Sequence, residues 1–380
     1  MDFSLSEEQR MLKDTVERLV RETYDFEKRQ KIAASEEGFS RDVWGQLAEL
    51  GMLGVPFAEE FGGLGSGGVD LMILGEAMGR GLVVEPYLST VVLGGGLIDL
   101  LGSAEQKESL LNAVVGGETL LAFAHGEPDS RYEPAHVRCK AEKTGGGWTL
   151  TGRKSVVLNG AAADQLIVSA RISGGHDDED GIGLFLVGKD AANLKVHGTP
   201  GIDGTHVAEI ALDGVEVGAD AVLGTPGACF AAIEEVMARA IVMLAGEAVG
   251  AMEVAVETTV EYLKTRKQFG KALSQFQVLQ HRAVDMRISL EQAKSLAVLA
   301  AARLGEPRAV REMAISAAKA GIGQHARIVG ELAIQLHGGI GMTWEVPVAH
   351  YAKRLVMIDH LFGDTDHHLE RFAALSDAAA

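Results

Sequence analysis

The sequence predicts a multidomain α+β chain in which a helical part, a small β domain and a second helical part follow one another. Three observations predict this order. Up to residue 118 apolar residues recur at helical spacing. From about Thr119 to about Gly224 the pattern changes to short β-rich runs bounded by Gly, Asn and Asp. Beyond Pro226 helical periodicity returns. The expected domains are therefore 1–118, 119–225 and 226–380, in keeping with a chain of 380 residues, too long for one simple core.

The elements follow in order. Ser6, Glu7, Glu8 and Gln9 form a capping box that starts a helix with Met11, Leu12, Val16, Leu19 and Val20 turned inward. A second helix is expected from about Asp42 through Trp44 and Leu47 to Leu50, stopping at Gly51. Glycines between Val55 and Gly65 read as loop punctuation. Helices around Val69–Met78 and Glu105–Val115 complete the first domain. In the middle domain strands are expected at Trp148–Thr151, Ser155–Leu158, Gln165–Ser169 and Gly183–Val187. The acidic run between Gly174 and Gly181 lacks the order of a calcium loop and reads as a solvated turn.

The stretch from Val236 to Asp285 is the most informative. It opens as a helix that is apolar on every side from Ala240 to Met252, and Glu247 is the one charge in that run. A helix apolar all round is a buried one, so this carboxylate needs a partner such as an Arg, a His or a backbone group, or else a chemical task. The small residues Gly246, Ala248 and Gly250 suit either a roomy pocket or close helix packing. The helix then becomes amphipathic, and after a short loop Phe276 opens another.

Composition bounds the function. The chain is 47% hydrophobic and 23% charged, as an ordinary globular protein is. Its net charge of −18 argues against nucleic acid and anionic membrane surfaces as partners. Cys139 and Cys229 show neither metal-ligand spacing nor a disulfide framework. With no apolar span of membrane length and no signal peptide pattern, a cytoplasmic location is expected.

The run from Arg266 through Gln268 and Phe269 to Gly270, followed by Phe276, Gln277 and Gln280, resembles the signature of the acyl-CoA dehydrogenase family. The run Gln335, Leu336, His337, Gly338, Gly339, Ile340, Gly341 resembles that family's later glycine motif. The resemblance covers nearly the whole chain. It implies a helical N-terminal domain, a β-barrel or sandwich middle domain and a C-terminal four-helix bundle. It also implies FAD as cofactor, an acyl-CoA substrate, an electron-transfer flavoprotein as acceptor, and a homo-oligomer or a heterotetramer with a related subunit. Arg266, Gln268, Phe269, Phe276, Gln277, Gln335, Gly338 and Gly339 are then expected to hold the neighbouring subunit's FAD. A planar guanidinium suits phosphate, and glycines let backbone come close.

The same resemblance marks departures. The segment from Leu361 to His368 puts Gly363 where the family places its base, a Glu, and Asp364 where a glycine follows. The alternative base position in the buried helix is Ala240, with Ile241 in place of the Arg beside it. Asp364 and Glu247 remain as competing candidates for the base, with helix capping and a buried ion pair as their respective structural roles. Thr365 and Asn159 are kept as cofactor contacts, whereas Gly126 and Val156, Val157 and Leu158 lack the hydroxyls and the aromatic ring that the family turns to its flavin. This pattern resembles the small subunit of pimeloyl-CoA dehydrogenase and similar heteromeric enzymes. It leaves open a self-sufficient dehydrogenase or a catalytically weak partner subunit. A metal-dependent hydrolase is a remote alternative, because Asp359, His360, Asp364, Asp366, His367 and His368 crowd ten residues. Adjacent histidines point apart on a helix, so no residue is assigned to a metal.

Overall fold

The structure, a computed structural model, describes residues 4–379, so the outer ends expected for the first and last domains, at 1 and 380, lie outside it. Six helices come first: α1 (Glu7–Thr23), α2 (Phe26–Ala33), α3 (Arg41–Glu49), α4 (Gly68–Gly81), α5 (Gly96–Leu101) and α6 (Ala104–Val115). Eight strands follow: β1 (Leu121–Ala124), β2 (Lys140–Lys143), β3 (Gly147–Leu158), β4 (Gln165–Arg171), β5 (Ile182–Gly188), β6 (Leu194–Pro200), β7 (His206–Gly218) and β8 (Val222–Leu223). The last part holds α7 (Phe230–Thr265), a hairpin of β9 (Lys267–Gln268) and β10 (Lys271–Ala272), then α8 (Gln277–Arg303), α9 (Arg308–His337), α10 (Pro347–His360) and α11 (Thr365–Ala379). The helix, sheet, helix order is the expected one.

The chain divides into two compact units. One holds the chain up to Gln30, Gly67–Val83 and everything from Ile241 on; the other holds Lys31–Ser66 and Val84–Ala240.

In the first unit α1 begins with the expected capping box: Gln9 N donates to Ser6 Oγ, and Ser6 N donates to Gln9 Oε1, each at 3.1 Å. Leu12, Val16, Leu19 and Val20 are buried, but Met11 is 64% exposed and falls outside the inward stripe. On a period of 3.6 residues it lies about 100° from Leu12, beyond the apolar arc.

The buried half of α7 crosses α4 backbone to backbone. A Cβ on Gly246 would lie 2.1 Å from Met72 O, and one on Gly250 2.0 Å from Glu76 O; reciprocally, Cβ atoms on Gly75 and Gly79 would lie 2.1 Å from the carbonyls of Met243 and Glu247. The small residues of α7 therefore serve close helix packing rather than a pocket. Helices α8, α10 and α11 all pack on α9, which buries Ile315, Ala318, Ile322, Ala326, Val329 and Ala333.

In the second unit the strands form one sheet in the order β6-β7-β3-β2-β4-β5-β8, with β1 parallel to β4. Trp148, Leu150, Val157, Leu166, Val168, Phe185, Val187, Ile210 and Leu212 fill its core. The two runs expected at 148–151 and 155–158 belong to a single strand, β3, paired with β7 and interrupted by register shifts after Leu150 and Lys154. The acidic turn is exposed over 174–180, and Arg171 donates to the carbonyls of Ala135, Val137, His176, Asp178 and Asp180.

Sequence pattern does not reveal the helical segment from Leu88 to Leu101, whose first turns are π-helical. Gly94, Gly95 and Gly96 look like breakers. They are buried here because side chains come very close: a Cβ on Gly94 would sit 2.5 Å from Leu121 Cβ, and one on Gly95 2.5 Å from Phe57 Cζ.

Candidate functional site

Helix α7 ends at Thr265, and Arg266 leads into the two-residue hairpin. Phe269 and Gly270 form its turn with φ of 55° and 80°, the double positive φ of the hairpin turn that matches strand twist. This turn drives the Phe269 ring outward, 90% exposed, and sets it edge-on to Phe276 at 6.1 Å. Lys271 Nζ stands 4.2 Å above the Phe276 ring. Arg266, Gln268 and Gln277 are exposed beside these rings. The Arg266 side chain meets no hydrogen-bonding or ionic partner among the described residues. An exposed phenyl ring and an unshared guanidinium on a rigid turn are poor choices for a free surface and good ones for a planar, anionic ligand.

The later glycine motif lies at the end of α9. Gln335 is exposed and lines a groove of about 580 Å³ between α8 and α9, with Arg282, Asp285, Ile288 and Leu332. A Cβ added at Gly338, where φ is 66°, or at Gly339 would meet nothing within 4 Å, so the backbone of both is open to a ligand. His337 is buried, stacks on Tyr262 at 4.4 Å and bonds Ala333 O through Nδ1 at 2.8 Å.

In the second unit the segments 124–128 and 154–159 are held together by Lys154, a residue absent from the candidates that the sequence suggests. Its side chain is wholly buried, and Nζ donates to Glu127 Oε1 at 2.7 Å, Ser169 Oγ at 3.0 Å and His125 O at 3.1 Å. Glu127 also accepts from the backbone N–H groups of Arg138 and Cys139. His125 Nδ1 lies 2.9 Å from Ser169 Oγ, and burial, with the Lys154 charge behind it, pushes its pKa down to about 3. A lysine inside a β-rich run is the one signal of this cluster in the sequence.

The bulge after Lys154 places Val156 at φ 54° with its side chain 57% exposed. A β-branched residue in the left-handed region is strained, and such strain collects at ligand sites. Asn159, at φ 51°, accepts through Oδ1 from Ser89 Oγ at 3.2 Å. Val157 is buried and Leu158 half-buried, so this edge offers a ring apolar surface and backbone groups.

The two candidate carboxylates both have structural partners. Glu247 is buried, and Arg354 of α10 donates to it twice, Nε to Oε1 at 2.6 Å and Nη2 to Oε2 at 2.8 Å. Asp364 is half-buried and caps α11, its Oδ1 accepting from His367 N at 2.9 Å. Thr365 Oγ1 donates to Asp359 Oδ1 at 2.9 Å.

Gly363 has φ of 107°, and a Cβ there would lie 2.6 Å from His367 Cδ2 and 2.7 Å from His368 Nε2. The loop is thus built around a residue with no side chain at the position where the resemblance expects the base. Ala240 and Ile241 are both buried. Arg239, which flanks them, pairs with Glu235 at 2.6 Å. The crowd of acids and histidines from Asp359 to His368 makes no group of three side chains able to hold a metal ion among the described residues. His368 instead bonds Phe362 O through Nε2 at 2.9 Å.

The residues expected on the phosphate and adenosine side fit FAD: a guanidinium with no partner among the described residues, exposed amides, the exposed Phe269 ring with half-buried Phe276, and open glycine backbone. On the ring side the fit rests on backbone groups, Val156 and Asn159.

Comparison with known proteins agrees. Residues 6–118 match the acyl-CoA dehydrogenase N-terminal domain, 122–215 the acyl-CoA dehydrogenase middle domain and 228–375 the acyl-CoA dehydrogenase C-terminal domain. The chain is 29% identical to the probable acyl-CoA dehydrogenase YngJ of Bacillus subtilis over 92% of each sequence. Among solved structures it is similar to the FAD complex of PigA, with 27% identity, a TM-score of 0.91 and full coverage of both chains. It is also similar to the ChsE4-ChsE5 complex from Mycobacterium tuberculosis, with 25% identity, a TM-score of 0.88 and 99% of each chain covered. The chain belongs to the acyl-CoA dehydrogenase family of FAD-dependent oxidoreductases.

Proposed function

We propose that this chain catalyses the α,β-dehydrogenation of an acyl-CoA thioester with FAD. The observation that carries the reading is the open clasp at the hairpin: Arg266, with no side-chain partner among the described residues, beside a Phe269 ring that is 90% exposed. FAD, when bound, would supply the redox chemistry, as acceptor of the hydride from the substrate's β-carbon. Arg266 meets the pyrophosphate charge, Gln268, Gln277 and Gln335 offer amide edges, Phe269 and Phe276 offer flat faces, and Gly338 and Gly339 leave room for backbone contact. Asn159 and Thr365 are the remaining contacts proposed for the cofactor.

Asp364 accepts the α-proton, leaving the enoyl thioester as product. Glu247 is the weaker candidate because both its oxygens are already bound by Arg354. FAD clasped by a neighbour's Arg266 requires at least a dimer, and an electron-transfer flavoprotein is the proposed acceptor. A cytoplasmic location accords with the absence, among the described residues, of any helix long and apolar enough to cross a membrane.

A second reading, in which the chain is a partner subunit that completes another chain's cofactor site, draws on a specific observation. Gly363 is held where a Cβ would crowd the His367 and His368 rings, and both alternative carboxylates are engaged. One experiment separates the two. The chain is expressed alone, its flavin content is measured, and a panel of acyl-CoA esters is added under anaerobic conditions. Stoichiometric FAD bleached by one of the esters supports the first reading. Apoprotein that takes up FAD only with a related second polypeptide supports the partner reading and sinks the first.

A further inference from the structure

Helix α9 carries a buried lysine that neither the cofactor nor the proposed base accounts for. Lys319 is 2% exposed and lies in an otherwise apolar stretch between Ala318 and Ala320. Its Nζ donates to two carbonyls, Asp359 O at 2.6 Å and Gly363 O at 2.5 Å. The first belongs to the last turn of α10, where carbonyls lack helical partners; the second immediately precedes Asp364. Lys319 therefore spans the turn between α10 and α11 from below.

The turn needs such a fastening. Phe362 has φ of 57° and Gly363 φ of 107°, both in the left-handed half of backbone space. For Phe362 that conformation is costly and persists only where surrounding contacts enforce it. His368 adds a third tie, to the Phe362 carbonyl. Thr365 adds a fourth, its Oγ1 bonding Asp359 across the turn.

Helix α9 also approaches very closely at Gly323, where a Cβ would lie 2.0 Å from Asp359 Oδ1 and 2.4 Å from Thr365 Oγ1. Removing an ammonium from water lowers its pKa, and burial brings that of Lys319 down to about 8 against the pull of Asp359 and Asp364. An ammonium kept in such a place at that cost needs acceptors, and the two carbonyls provide them.

We propose that Lys319 is a positioning residue for Asp364: by binding the carbonyls of Asp359 and Gly363 it holds the turn from Leu361 to Asp364 in the geometry from which the carboxylate works. The inference rests on the reading of Asp364 as the base, and the two can be tested apart.

Three variants are compared with the parent protein: Lys319→Met, which keeps the stem and removes all donors; Lys319→Gln, whose amide restores two N–H donors on a shorter stem; and Asp364→Asn. Amide hydrogen exchange is followed peptide by peptide, and flavin reduction by a competent acyl-CoA is followed by stopped flow across substrate concentrations.

In Lys319→Met, exchange in residues 361–368 rises about tenfold while the rest of α9 and α10 keeps parental rates. The limiting rate of reduction falls about thirtyfold with half-saturation within twofold, and Lys319→Gln recovers part of both. Parental exchange in 361–368, or a parental limiting rate, in a folded Lys319→Met protein overturns the proposal. A variant that does not fold is replaced as the deciding measurement by Lys319→Gln, for which unchanged exchange and rate have the same consequence. If the parent and Asp364→Asn proteins are reduced at the same rate, or neither is reduced, the reading of Asp364 as base fails, whereas the exchange data still decide whether Lys319 fastens the turn.

Discussion

Arg354 binds both carboxylate oxygens of Glu247 from 107 positions away in the chain, at 2.6 and 2.8 Å, with both side chains less than a tenth exposed. A two-pronged guanidinium–carboxylate pair in a dry environment fixes the crossing of α7 and α10. It also occupies both oxygens of the one charge in the apolar run from Ala240 to Met252.

Breaking that pair leaves a buried charge without compensation. Arg354→Ala is expected to destabilise the protein by about 3–5 kcal/mol. Glu247→Gln with Arg354→Met together should cost less than the sum of the single changes. Denaturant unfolding of the two single variants and the double variant measures the coupling, and additive costs would show that the pair is not energetically linked.

Asp364→Asn separates capping from chemistry. Asparagine caps a helix about as well as aspartate, so stability should move by less than about 1 kcal/mol. Loss of a general base lowers the rate of flavin reduction by roughly 10²–10⁴. Glu247→Gln run alongside should leave the reduction rate of the folded fraction close to parental. The reverse ranking would transfer the role to Glu247.

Gly363→Glu restores the residue type that the resemblance expects, yet it should not restore a base. The left-handed backbone and the nearby His367 and His368 rings must give way first. The expected result is a loss of roughly 1–3 kcal/mol in thermal or urea unfolding, with no gain in turnover. A gain in both would mean that the turn relaxes to the family's usual form.

Arg266→Ala removes a charge that has no partner among the described residues, so the fold should be untouched while FAD binding weakens. Charge-assisted bonds contribute about 1.5–3 kcal/mol each, which weakens FAD binding about 10- to 100-fold. Arg266→Lys should recover only part, because an ammonium cannot bind two oxygens in the guanidinium's planar fashion. Equilibrium titration of apoprotein with FAD reads both values, and unchanged affinity in Arg266→Ala would remove the clasp from the cofactor site.

Acid should destabilise the folded chain through two histidines. Burial pushes both His125 and His368 down to about 3 from 6.5, aided by Lys154 and Lys319 respectively. The unfolded chain then binds more protons than the folded one between these values, so stability falls as pH drops from about 6.5 toward 3. His368→Asn, which keeps a polar side chain that does not titrate, should flatten part of that slope. Urea midpoints at pH 7.5 and 5 measure it, and an unaltered slope would show that His368 titrates normally.

How much of this is legible in the sequence differs from residue to residue. The capping box at Ser6, the helix–sheet–helix order and the short loop before Phe276 depend on neighbours within a few positions, and local propensity and periodicity carry them. The segment from Leu88 to Leu101 is not legible, because Gly94 and Gly95 break a helix on local grounds and are tolerated only where Leu121 and Phe57 crowd them. Lys154 and Lys319 escape notice because a lysine within a strand or helix looks like a surface residue. What marks each is a set of acceptors gathered from other strands and helices.

By itself the sequence determined the order of the helical and β domains and the family, since both reside in local pattern and residue type. The tertiary structure alone decided that Glu247 belongs to Arg354, that the His367 and His368 rings crowd position 363, and that Lys319 sits under the turn bearing Asp364. Those facts depend on pairs brought together by packing across dozens of residues, and the energy of such a pair is set by burial and geometry that no short stretch of chain encodes.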